Sequence, residues 1–274
     1  MKDALVPIHK WPEQGETMTD AKQPTAAEKM FRERLPLMQG LMDRVDKEFS
    51  DVLNNDVLNQ IYGREEKLDI KTRELCTVTM LSVLNRLDDL KSHLGAALNL
   101  GWSLDEIRDC LLLCCLPGGW PAAIDGVRLL YLYCKEMELA PPAAGTFRSG
   151  YHSTDWLKKG TEYGIKFWGE PIFNELISKY SLEGNDFKEF IMISVYGKLL
   201  SREVLDERTK RLCMIAAFAA LKSAKHLKFL ISGSLENGVT KEEVKEVLFY
   251  CGIYAGQEAT LEAFDIYRKC IASA

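Results

Sequence analysis

The stretch from Leu68 to Cys134 occurs twice in this chain, and that duplication constrains the fold more than any other feature. The first copy reads LDIKTRELCTVTMLSVLNRLDDLKSHLGAALNLGWSLDEIRDCLLLCCLPGGWPAAIDGVRLLYLYC. The second, from Leu205 to Ile271, aligns with it without a gap. Shared pairs include Leu68/Leu205, Asp69/Asp206, Thr72/Thr209, Cys76/Cys213, Leu90/Leu227, Gly101/Gly238, Glu106/Glu243, Cys114/Cys251, Gly119/Gly256 and Ala122/Ala259. Such a match marks a duplicated supersecondary unit. Function is to be sought where polar residues differ between the copies.

Punctuation within the repeat predicts four helices. Asp69 caps one running to about Val83, since a short polar side chain satisfies the first free backbone N–H groups. A second helix, from about Asn85 to Leu100, ends at Gly101, a residue suited to the left-handed turn after a helix. Ser103 and Glu106 form a capping box for the third, as Thr240 and Glu243 do in the second copy. Gly118 and Gly119 break the chain before a fourth helix beginning near Pro121. No alternating strand pattern is present, so the expected fold is all-α, with two tandem helical repeats. The expected organisation is a loose arm over residues 1–25, a first repeat over 26–140 and a Pro/Gly/Ser-rich linker over 141–154. A second repeat, 155–274, lacks the polar set described below. Helical lead-ins precede each repeat, and Pro36 is expected to kink or interrupt the first.

Composition then excludes function classes. With 35 basic against 40 acidic residues and no basic stripe, a nucleic-acid partner is not expected. No apolar run approaches the roughly 18 residues that span a bilayer, and the N-terminus lacks a signal-peptide core. No membrane association and a cytoplasmic location are therefore expected. The eight cysteines include no Cys-x-x-Cys pair, and their apolar settings read as core positions. No nucleotide loop, haem motif or metal-spaced His/Cys set is written here, so no metal and no cofactor is expected.

Within the first copy, Arg86, Asp89 and His93 fall at i, i+3 and i+7, on one side of a helix. Asp89 stands one turn from His93 and can orient the imidazole. Glu74 lies one helix earlier and comes alongside His93 if the two helices are antiparallel neighbours. Spacing alone equally fits a solvated Asp89–His93 pair and a Glu74 that serves only its helix dipole. The second copy tips the balance toward chemistry: it has Arg211, Ser223 and Leu230 where the first has Glu74, Arg86 and His93, while its apolar frame is retained. Of the other histidines, His226 among lysines reads as solvent-facing, and His9 and His152 show no partners.

These residues resemble the carboxymuconolactone decarboxylase family, which includes the alkyl hydroperoxidase D-like proteins. The pattern is L-x-x-x-T-R-E-L at Leu68–Leu75, the histidine of KSHLGAALNLG, S-x-D-E-I-R at Ser103–Arg108 and G-G-W-P-A-A at Gly118–Ala123. The resemblance implies an all-helical oligomer, and for a fused tandem chain a homotrimer imitating a hexamer. The peroxidase branch carries a Cys-x-x-Cys where Arg86 and Asp89 stand here, so peroxide reduction by that route is disfavoured. By resemblance, His93 is the general acid/base, with Arg86 and Glu74 supporting substrate binding or proton transfer.

The expected function is that of a cofactor-independent lyase (decarboxylase) or isomerase. It acts on a small anionic organic substrate, a carboxylated lactone or ring, by general acid/base catalysis. His93 and Glu74 are the candidate catalytic residues; Arg86, Asp89 and Trp120 are the candidate substrate-binding residues, Trp120 as an apolar wall. The alternatives are a thiol-dependent hydroperoxide reductase and a non-catalytic oligomeric protein that binds an anion.

Overall fold

The computed structural model describes residues 30–31, 34–64, 67–143, 145, 151–182 and 184–273. The loose arm expected over residues 1–25, with Trp11 and His9, lies outside them, as does much of the linker. Among the described residues there is no strand, and the all-α expectation is met.

The first lead-in consists of α1 (Arg34–Val45), α2 (Lys47–Val52) and a π-helix, π1 (Leu53–Ile61). Pro36 lies within α1. The first repeat follows as α3 (Ile70–Val83), α4 (Leu87–Asn99), α5 (Leu104–Leu113) and α6 (Gly119–Glu136). The second lead-in is α7 (Ser153–Trp168), α8 (Glu170–Leu182), α9 (Asn185–Phe190) and π2 (Ile191–Leu200). It leads into α10 (Glu207–Ala220), α11 (Ala224–Glu236), α12 (Lys241–Tyr254) and α13 (Gln257–Ser273). The two π-helices were not legible from apolar spacing, because their widened turns depart from the α period.

The repeats match down to their caps. Asp69 and Asp206 each accept from the backbone N–H of a threonine three residues on, at 2.8 and 2.9 Å. Such a cap is worth about 1 kcal/mol. Ser103 and Thr240 form their capping boxes. Asn85 and Lys222, at equivalent positions, both take a φ of 54°. His152, which showed no partner in the sequence, precedes α7 and closes a capping box with Asp155.

Helices α3 and α10 pack against each other at the centre. Thr72 to Ser82 and Thr209 to Ala220 are buried without interruption, as expected of helices covered on all sides. Such helices carry no amphipathic stripe, so their orientation is set by the few polar groups they bury. Arg73 on α3 donates to the carbonyls of Ile61 and Tyr62 at the end of π1. Lys210 on α10 donates to those of Leu200 and Arg202 after π2. Each buried cation thereby satisfies carbonyls left open where a helix ends.

Two ion pairs cross between the halves reciprocally. Arg64 holds Glu246 of α12 at 2.8 Å, and Arg202 holds Asp109 of α5 at 2.9 Å. In the second lead-in, α7 meets π2 through Gly160 and Gly197: a Cβ at either would run into the carbonyl of Met192 or Trp156.

All eight cysteines are buried and unpaired. Cys110 of α5 approaches Cys213 of α10 to 4.0 Å and Thr79 to 3.1 Å. Burial pushes the Cys115 and Cys251 thiols up to about 12. No helix among the described residues is long and apolar enough to cross a membrane.

Candidate active site at the junction of the repeats

Helix α3 presents Glu74 and helix α4 presents His93, and the two antiparallel neighbours bring them together. Nδ1 of His93 lies 2.7 Å from Oε1 of Glu74, and both side chains are buried, at 8% and 0% exposure. Opposite a carboxylate, Nδ1 is the natural donor, which leaves Nε2 as the ring's second hydrogen-bonding nitrogen. The other carboxylate oxygen, Oε2, is buried with no partner among the described residues, as is the Tyr62 hydroxyl.

The second repeat completes the surroundings. Tyr254, at the end of α12, places its hydroxyl 3.3 Å from Nε2 of His93. Its ring stands nearly perpendicular to the imidazole, 5.4 Å between centroids. Burial pushes its phenol well above the usual tyrosine range, so it remains a hydroxyl. One turn earlier, Tyr250 accepts from Arg73 at 2.6 Å and packs on Tyr62. Phe31 closes the far side, perpendicular to His93 at 5.3 Å. A buried acid and an imidazole thus sit in an aromatic chamber formed by both halves.

This changes the assignment of roles to the copies. The sequence suggested a first copy with fold and site and a second with mainly fold, yet Tyr254 and Tyr250 belong to the second. Their counterparts in the first are Pro117 and Leu113, while Arg211 and Leu230 replace Glu74 and His93. The losses therefore group by site rather than by copy. At the pseudo-equivalent position, Arg211 donates to the Lys166 carbonyl at 2.9 Å and covers the Phe167 ring. Tyr254 was missed because its partner lies 161 residues away; its absence at Pro117 was the signal available.

The other candidates lie apart from this chamber. Arg86 is exposed at the N-cap position of α4, on the same stripe as His93 but about 10 Å along the axis. Asp89 is also exposed, and the partner of His93 is Glu74 rather than the Asp89 suggested by spacing. Trp120, 40% exposed, faces Phe190 of α9 at 6.2 Å. His226 is not solvated: it is half-buried and stacks on Phe218 at 5.2 Å. Among the described residues, no cluster of His, Cys, Asp or Glu has the arrangement to hold a metal ion.

Comparison with known proteins agrees with this organisation. The profile of the carboxymuconolactone decarboxylase family matches twice, over residues 53–131 and 186–269. A 4-carboxymuconolactone decarboxylase from Acinetobacter baylyi is 33% identical over 112 residues, 84% of that protein but 41% of this chain. Nitrosuccinic acid decarboxylase npaB from Metarhizium robertsii is 26% identical over 112 residues, 78% of its length and 39% of this chain. A relative covered nearly whole by less than half of this chain is what a tandem duplication produces. The chain is a two-repeat member of the carboxymuconolactone decarboxylase family.

Proposed function

We propose that this protein is a decarboxylase for a small organic acid whose leaving carboxylate stands next to an electron-accepting group, such as a conjugated lactone carbonyl or a nitro group. The observation that carries this reading is the buried Glu74–His93 contact, with the rings of Phe31 and Tyr254 edge-on to the imidazole and the Tyr254 hydroxyl at Nε2. The carbon–carbon bond breaks, carbon dioxide leaves, and the electron pair passes into the acceptor. His93 then delivers the Nε2 proton to the carbon and is reprotonated from solvent, for a net uptake of one proton. Glu74 steadies the imidazolium while it carries charge. The relatives' names support the reaction class: one is a decarboxylase of 4-carboxymuconolactone, the other of nitrosuccinic acid.

In this reading Arg86, exposed two turns before His93, draws the anion toward the site, with Asp89 beside it, and Trp120 serves a surface contact. An oligomer, a homotrimer by family resemblance, fits the apolar stripe of Trp120, Ile124 and Tyr131 exposed on α6. A cytoplasmic location fits eight unpaired thiols. The hydroperoxide reductase alternative loses support because those thiols are buried and, at Cys110, Cys114, Cys115, Cys213 and Cys251, pushed away from the thiolate.

The test is carbon dioxide release from 4-carboxymuconolactone and from nitrosuccinate by the wild type and His93→Ala. Loss of at least about a hundredfold in the variant is expected. Equal turnover by both proteins would falsify the role of His93, and binding without release would leave an anion-binding protein.

A further inference from the structure

We propose that Tyr254 of the second repeat is the positioning residue of the His93 site, holding Nε2 in the direction from which the proton is delivered. This rests on the decarboxylase reading and makes the second repeat a working part of the site.

Three observations lead there. Nδ1 of His93 is committed to Glu74, and a ring held at one nitrogen can still pivot about that contact; the Tyr254 hydroxyl at 3.3 Å from Nε2 supplies the second fixed point. A hydroxyl suits both states of the cycle, because it donates to the neutral imidazole and accepts from the N–H of the imidazolium. The phenol and the imidazole also occur together: the pseudo-equivalent site has Pro117 for Tyr254 and Leu230 for His93. For packing on His93 alone, a phenylalanine at 254 would serve as well.

The groups facing His93 come from several elements. Helix α3 brings Glu74, with Arg73 behind it; α12 brings Tyr250 and Tyr254; Tyr62 follows π1; and Tyr133 of α6 reaches the opposite flank of α4 at Gly95. Tyr254 is the one of these in contact with Nε2 among the described residues. A hydrogen bond from a charged N–H is stronger than one between neutral groups, so losing the phenol oxygen costs the imidazolium more. Removal of the hydroxyl therefore leaves the imidazolium N–H at Nε2 without this partner.

The experiment compares the full chain with Tyr254→Phe. Nitrogen-15 NMR of the imidazole reads the His93 Nε2 resonance at one fixed pH, and turnover of 4-carboxymuconolactone is followed separately. The variant is expected to shift the His93 Nε2 resonance and to lower kcat about tenfold, the scale of one hydrogen bond, with KM within about twofold. An unchanged Nε2 resonance, whether or not turnover falls, overturns the proposal. The NMR arm needs no substrate, so inactivity of the wild type toward this acid counts against the decarboxylase reading without deciding Tyr254. If the variant does not fold, the unaltered chain decides: an exchange-protected Tyr254 hydroxyl proton coupled to His93 Nε2 is expected, and its absence defeats the idea.

Discussion

Glu74 and His93, 19 residues apart on successive helices, meet at 2.7 Å with both side chains buried. The pair is useful only as a pair: the ring gives the buried carboxylate a donor, and the carboxylate fixes the direction of the ring. Glu74→Gln keeps the shape but removes the charge. It should lower kcat by about tenfold to a hundredfold with KM little changed, measured as initial rates of carbon dioxide release. A variant as fast as wild type would show that the carboxylate takes no part.

Arg211 occupies the place of Glu74 in the second repeat, where Leu230 stands at the position of His93. Its Nη1 is buried with no hydrogen-bond partner among the described residues, so an apolar side chain of similar length removes an unsatisfied polar group. Arg211→Met should leave turnover within about twofold and stability within about 1 kcal/mol, read from urea unfolding. A large loss of turnover would mean that the second site is functionally coupled to the first.

Asp109 is 4% exposed and lies between Arg108 and Arg202, each at 2.9 Å. Removing the carboxylate leaves the two guanidinium groups facing each other. Asp109→Ala should cost about 3 kcal/mol in urea unfolding, and Arg202→Met should recover part of that loss in the double variant. Strict additivity of the two changes would show that the cross-repeat pair contributes little.

His226 stacks on Phe218, and burial, aided by the neighbouring Lys225, holds its imidazole below the usual value. The fold therefore favours the neutral ring. As pH falls below about 6.5, the unfolded chain takes up the proton first, so this contribution is complete above that pH and declines below it. His226→Phe should flatten the loss of melting temperature between neutral pH and pH 5. Parallel curves for the two proteins would locate the acid sensitivity elsewhere.

The thiols offer a chemical check on the disfavoured peroxide reaction. Iodoacetamide should modify the native chain slowly at all eight positions, because each thiol is buried. Any hydroperoxide consumption should be unaffected by alkylation, as monitored by peroxide assay and intact mass. Rapid labelling of Cys110 or Cys213 together with lost peroxide turnover would restore that reading.

Local signals were legible in the sequence because they depend on a few consecutive residues. The gapless repeat, the caps at Asp69, Asp206, Ser103 and Thr240, and the left-handed turns at Gly101 and Gly238 all survive in the fold. The proposed acid/base pair was half legible: Glu74 and His93 stood out because the second copy lacks them. Helical spacing favoured Asp89 as the partner of His93, since it registers neighbours on one helix and cannot see the helix packed opposite. Only the tertiary structure decided that Asp89 and Arg86 face outward and that His226 stacks on an aromatic ring. It also decided that Tyr254 reaches His93 from the other repeat. The reason is physical: α3 and α10 are buried on every side, so no amphipathic stripe announces how they are oriented. Which distant side chains meet across them is fixed by packing and by the cross-repeat pairs Arg64–Glu246 and Arg202–Asp109.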